Sequence, residues 1–175
     1  MKEKNLIENV QRRGTKSFAY CEGLQYEDRL KKLDIPCLAY RKLRGDVIEV
    51  FKMLNGHYDQ DIETPLTRAS EIHNREVRGA EHNLRKSKSK GNVRANSFRN
   101  RVVPFWNELP TKVKEAPSVK SFESRLDKYW KRYDIKYNFK KCVEYERRRK
   151  DPGFAGAGPK LLPMDNNSDL ETQAL

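Results

Sequence analysis

Arg101-Val102-Val103-Pro104-Phe105-Trp106-Asn107-Glu108-Leu109-Pro110, followed by Ala116-Pro117-Ser118-Val119 and then by Phe122, Leu126 and Trp130, is the stretch that decides the fold. Its apolar residues recur at three and four positions, the period of a helix that buries one face. Phe98, Val102, Phe105, Trp106 and Leu109 form one such face. Asn96 or Ser97 is placed to cap it, and Leu109-Pro110 is placed to stop it. Pro104 falls inside that pattern, so the helix must kink or split there, because proline lacks an N–H and clashes with the preceding turn. Thr111 to Glu115 allows one further turn. Ser118 then caps a last long helix with Val119, Phe122, Leu126, Tyr129 and Trp130 on one side.

The same period appears upstream. Leu43, Val47, Val50, Phe51 and Leu54 make an amphipathic stripe, with Pro36 suited to open its helix and Asn55-Gly56 suited to close it in left-handed geometry. Gly45 inside that helix costs about 1 kcal/mol relative to alanine, and marks either a close helix crossing or a weak point. Tyr26 to Leu33 reads as a short helix with Leu30 and Leu33 inward, broken at Asp34-Ile35-Pro36 because the residue before proline avoids helical geometry. Residues 5 to 20 place Leu6, Val10 and Ile7 on one face of a first helix. Residues 56 to 93 have no sustained period. They read as a long basic loop with room for one short strand near Glu81 to Lys86. The expected architecture is therefore mainly α: a small multi-helix domain over residues 1–133, a basic helix or extension over 134–150, and a disordered Gly/Pro/Asn-rich tail over 151–175.

Composition limits what this domain can be. Apolar residues make up 36% of the 175 and charged residues 35%, against roughly 45–50% and about 25% for an ordinary globular chain. The core is small. The net charge is +12, and it is unevenly placed. Four acids and one base lie beyond Lys150, so the first 150 residues carry +15. A surface that basic attracts phosphate backbones, which makes nucleic acid the leading partner class. An anionic membrane surface ranks second, because no segment joins a basic face to a long Trp/Phe/Leu face. No apolar run approaches 18 residues, and Met1 to Asn5 leads into mixed charges rather than a signal-peptide core. An intracellular protein, nuclear or cytoplasmic, is expected.

Catalytic motifs are not found. Nucleotide transfer requires carboxylates that hold two metal ions about 4 Å apart. The chain has no Asp-Asp pair, and Asp59 and Asp61 read as solvated loop residues. Cys21, Cys37 and Cys142 are widely separated, and with His57, His73 and His82 they offer no zinc spacing and no disulfide framework. No metal and no cofactor are expected. What remains is cationic. From Asn83 to Val103 there are seven bases (Arg85, Lys86, Lys88, Lys90, Arg94, Arg99, Arg101) and no acid, in a chain with 25 acids. With Arg78, these form the expected nucleic-acid contact. A second run, Lys140-Lys141 and Arg147-Arg148-Arg149-Lys150, reads as a phosphate contact, a nuclear localisation signal or a solvated helix end. The tryptophans and phenylalanines at helical spacing are expected in the core and not as stacking platforms for bases.

Longer blocks carry a family resemblance. They are Gln11-Arg12-Arg13, Tyr26-Glu27-x-Arg29-Leu30-x-x-Leu33, Tyr40-Arg41-x-x-Arg44-Gly45-Asp46-x-Ile48-x-x-Phe51-Lys52-x-Leu54-Asn55-Gly56, Arg78-Gly79, Phe98-x-x-Arg101-Val102-Val103-x-x-Trp106-Asn107-x-Leu109-Pro110, and Ala116-Pro117-Ser118-Val119-x-x-Phe122-x-x-x-Leu126-Asp127. In order and spacing they resemble the C-terminal region, downstream of palm and thumb, of the reverse transcriptase of LINE-class, jockey-like non-LTR retrotransposons. The resemblance implies a template-contacting accessory region of an RNA-directed DNA polymerase, lacking the palm and the endonuclease that perform its chemistry. It also implies an upstream polymerase domain as a partner. Gln25 departs from the serine cap that the resemblance suggests. Two expectations follow: a non-catalytic module that grips RNA or DNA backbone, or a helical scaffold, a relic whose Val47/Phe51 and Phe98/Trp106 faces pack on a missing thumb.

Overall fold

The computed structural model describes residues 2–58, 66–71, 80–88 and 91–150. Nine segments of these are α-helical: α1 (Lys2–Gly14), α2 (Tyr26–Leu33), α3 (Leu38–Leu54), α4 (Asn92–Asn96), α5 (Phe98–Arg101), α6 (Val103–Glu108), α7 (Thr111–Lys114), α8 (Val119–Lys131) and α9 (Phe139–Lys150). Short 3-10 turns lie at Ala19–Cys21, Ala69–Glu71 and Ala80–His82. None of these helices is long and apolar enough to cross a membrane. The Asp59, Asp61 and His73 positions and the tail expected over 151–175 lie outside the described residues.

The central element is α3, against which α1, α6, α8 and α9 all pack. Its stripe is buried as its spacing requires, with Leu43, Val47, Val50 and Phe51 at 2% exposure or less. Phe51 stacks on Phe122 of α8 with ring centroids 4.3 Å apart, and Tyr40 meets Trp130 edge-on at 5.7 Å. Outside this apolar seam, Arg44 forks onto Asp127 of α8 through Nε (2.8 Å) and Nη2 (3.0 Å). Phe122 is fully buried, so truncating it to alanine costs about 3–5 kcal/mol. The Val47/Phe51 and Phe98/Trp106 faces offered above to a partner are thereby used internally. Val47, Phe51 and Trp106 are buried, and Phe98 is packed against the same core.

The ends of α3 differ from expectation at one side only. Gly56 adopts φ +68 just past its C-terminus, the left-handed geometry that Asn55-Gly56 predicted. At the other end the helix starts at Leu38 rather than Pro36, because Pro36 and Cys37 are engaged in tertiary bonds. The Pro36 carbonyl accepts from Gln11 Nε2 (3.1 Å) and the Cys37 N–H donates to the Lys136 carbonyl (2.9 Å). The helix α2 spans the predicted residues and ends on Asp34 at φ +49, with Ile35 N–H reaching back to the Leu30 carbonyl at 3.0 Å. Gln25 makes no side-chain cap there.

The face of α1 is reversed. Leu6, Ile7 and Val10 were expected inward, yet they are 67%, 61% and 71% exposed, while Glu8 is 1% exposed. Hydrogen bonding explains the reversal. The Glu8 carboxylate accepts the Leu38 N–H at 3.1 Å and the Tyr26 hydroxyl at 2.5 Å. Cys37 supplies no side-chain cap to α3, so a carboxylate from α1 caps it instead.

Pro104 splits its helix and does not bend it. It stands in the first turn of α6, the position where a missing N–H costs nothing, and α5 ends just before. The strand expected near 81–86 reduces to one antiparallel bridge between Arg68 and Leu84. The boundary expected at residue 133 does not separate two cores, because Ile135, Phe139, Cys142, Val143 and Tyr145 belong to the same buried cluster as α3 and α8. Among the bases of 134–145, Ile135, Phe139, Cys142 and Val143 recur at three- and four-residue spacing, the period of a buried helix face.

Candidate nucleic-acid interface

The basic segment is held by amide side chains. Asn107 in α6 bonds both backbone groups of Leu84, its Oδ1 accepting the N–H at 2.8 Å and its Nδ2 donating to the carbonyl at 2.9 Å. Asn100 in α5, 1% exposed, accepts the Ser87 N–H at 3.1 Å and donates to the Arg94 carbonyl at 2.8 Å. The Trp106 indole N–H donates to the His82 carbonyl at 2.7 Å. On the other side, Ala69 N–H bonds the Asn83 carbonyl (2.8 Å) and Arg85 N–H bonds the Thr67 carbonyl (2.9 Å). With its backbone pinned at Leu84, Ser87 and Arg94, the segment turns its long side chains outward.

Arg85, Lys86, Lys88, Arg94 and Arg99 are exposed, and no acid lies within ion-pair distance of any of them among the described residues. Lys88, Arg94 and Arg99 line one surface groove together with Gly91, Val93 and Asn100. The Arg99 guanidinium donates to the Thr67 hydroxyl at 3.2 Å. Five cations on a pinned backbone, none held by a carboxylate of the described residues, can meet successive phosphates.

Arg101 differs from this set. Its Nε and Nη2 fork onto Asp46 at 2.9 and 2.8 Å, and its guanidinium lies 5.4 Å from the Phe98 ring centroid. The Asp46 hydrogen bonds hold it firmly charged, and its role is to tie α5 to α3. Arg78, Lys90 and the Lys150 side chain lie outside the described residues. The second run is scattered around α9 and largely neutralised. Lys141 pairs with Asp134 at 2.6 Å, Arg148 with Glu144 and Arg149 with Glu108, while Lys140 and Arg147 are exposed with no acid partner among the described residues. The aromatic rings are core residues, with Trp106, Trp130, Phe105 and Phe122 at 4% exposure or less.

Three residues not singled out in the sequence organise the site. Asn100 is buried among apolar residues, where an amide signals a hydrogen-bonding duty, and Asn107, seven residues on, is exposed and pairs with both backbone groups of Leu84. Lys114, 7% exposed, donates from Nζ to Asn83 Oδ1 at 2.9 Å and lies 5.9 Å from the Trp106 ring centroid. Burial pushes its amine down to about 8. Next to it His82 Nε2 lies 3.0 Å from Glu115. No group of three or more His, Cys, Asp or Glu that could hold a metal ion occurs among the described residues. No family model, curated protein or solved structure matches the chain.

Proposed function

We propose that this chain is a non-catalytic nucleic-acid-binding module, derived from the C-terminal region of a non-LTR retrotransposon reverse transcriptase, that grips RNA or DNA backbone through residues 83–99. One observation carries the reading: Arg85, Lys86, Lys88, Arg94 and Arg99 are exposed, with no acid partner among the described residues, on a backbone pinned by Asn100 and Asn107. The contacts are to phosphate and not to base edges, so binding is sequence-tolerant and strongly salt-dependent. Five cations on a single strand contribute roughly −3.5 to the slope of log affinity against log salt. Replacing all five by alanine is expected to remove that part of the slope and to weaken RNA, duplex DNA and hybrid alike. Binding that is flat in salt, or unchanged in the variant, would falsify the reading. The module works inside the cell, in nucleus or cytoplasm, where the nucleic acid is.

The exposed face of α1 supports a second reading, a scaffold that packs on an upstream polymerase domain. Leu6, Ile7 and Val10 form an exposed apolar stripe that no described residue covers. Sedimentation of the chain with the thumb domain of such a polymerase tests it: association that survives Leu6→Glu and Val10→Glu would remove it.

A further inference from the structure

A second groove lies elsewhere, lined by residues of α3, of α8 and of the segment after α8, among them Tyr40, Gly45, Trp130 and Tyr137. Gly45 is its least explained residue. It stands in the middle of α3, where glycine is unfavourable, yet it is exposed, and a Cβ built on it would meet no atom within 4 Å. No neighbouring helix crosses closely enough to require a bare backbone. A glycine is also the residue that lets a ligand approach the main chain. The groove's acids are already occupied, Asp127 by Arg44 and Asp134 by Lys141. Its cations Arg41, Lys128 and Lys131 are exposed and have no acid partner among the described residues. In the wall, the buried indole N–H of Trp130 has no hydrogen-bond partner.

We propose that this groove is a second nucleic-acid site, which seats one or two nucleotides of a single strand over Gly45 with their phosphates on Arg41, Lys128 and Lys131. Charge and shape select this occupant. Three cations with no acid partner among the described residues, spaced around a groove also lined by Tyr40, Gly45 and Tyr137, match a chain that alternates phosphates with flat bases. The proposal rests on the reading of the chain as a nucleic-acid binder, but not on the residues of the basic segment.

The test uses the full chain and a short oligouridylate. Gly45→Leu fills the groove. Because leucine is the better helix former, this variant should unfold about 2–4 °C higher while binding the oligonucleotide about tenfold more weakly. Stability and affinity moving in opposite directions separates a ligand seat from a structural glycine. Replacing Arg41, Lys128 and Lys131 by alanine should reduce the salt slope by about 0.7 for each phosphate seated, roughly 1.4 for two nucleotides. The 15N-labelled chain gives a second readout, with its two indole resonances assigned through Trp130→Phe. The oligonucleotide should shift the Trp130 indole resonance in the wild type and leave it in place in Gly45→Leu. If the basic-segment variant weakens binding and the groove variants do not, the groove proposal is overturned and the first site stands. If only the groove variants matter, the groove stands and the first site falls. No binding by the wild type removes both. An oligoglutamate of equal charge that moves the Trp130 resonance equally would overturn the nucleic-acid assignment in favour of an acidic protein segment.

Discussion

At the scale of single residues, buried polar groups direct this fold as firmly as its apolar ones. Glu8 joins three elements by accepting from Leu38 at the start of α3 and from Tyr26 in α2. Burial and the Glu8 carboxylate together push the Tyr26 phenol up. Glu8→Ala leaves both donors unpaired and is expected to cost about 2–3 kcal/mol, with Glu8→Gln recovering part, read as the urea midpoint. Lys114 carries the opposite electrostatic sign. Its folded-state value near 8 lies below the ordinary 10.5 because burial disfavours the ammonium. Between those two values the unfolded chain holds more protons, so stability rises with pH across that window and the burial penalty is fully present below it. The expected gain is on the order of 3 kcal/mol. Urea titrations of the wild type and Lys114→Met between pH 7 and pH 11 should therefore diverge, the wild type gaining; parallel curves would show that Lys114 keeps its ordinary proton affinity.

At the scale of elements, caps and breaks in the sequence are used selectively. Ser118 and Ser97 both precede helices, but only Ser118 accepts a first-turn N–H, from Ser121 at 3.2 Å. The Ser97 hydroxyl instead donates to the Arg94 carbonyl at 2.8 Å, an exposed contact. Ser118→Ala should cost about 1 kcal/mol and Ser97→Ala only a few tenths, both measured by thermal melting. Equal losses would mean that a serine before these helices acts by propensity alone. The short helices α4, α5 and α6 follow from the same punctuation. Ser97, in extended geometry, precedes α5 as the sequence suggested, and Pro104 in the first turn of α6 splits what the apolar period from Phe98 to Leu109 offered as one helix. Cutting it turns Asn100 and Asn107 onto the basic segment.

At the scale of the whole molecule, one core runs from α2 to α9. Phe139, Cys142, Val143 and Tyr145 of α9 belong to the same buried cluster as Phe122, α9 packs on both α3 and α6, and Glu108 accepts from Tyr145 (2.7 Å) and Tyr133 (3.2 Å). Ending the chain at Asn138 therefore exposes a core face, at a cost comparable to the roughly 5–15 kcal/mol that holds a domain folded. Circular dichroism of residues 1–138 should show no cooperative transition; a sharp melt close to that of the full chain would mean that α9 is an appendage.

The sequence by itself determined α2, α3 and α8, the Gly56 turn, the buried aromatic residues and the net positive charge. Each rests on local spacing, on backbone preference or on counting, and none needs knowledge of a distant partner. The orientation of α1, the membership of α9 in the core, the pinning of residues 84–94 by two asparagines and the neutralisation of Arg101 were decided only in tertiary structure. The physical reason is the same for all four. A hydrogen bond or ion pair between residues such as Glu8 and Leu38, or Arg101 and Asp46, leaves no period in the chain, and once formed it outweighs a weak apolar stripe such as Leu6, Ile7 and Val10.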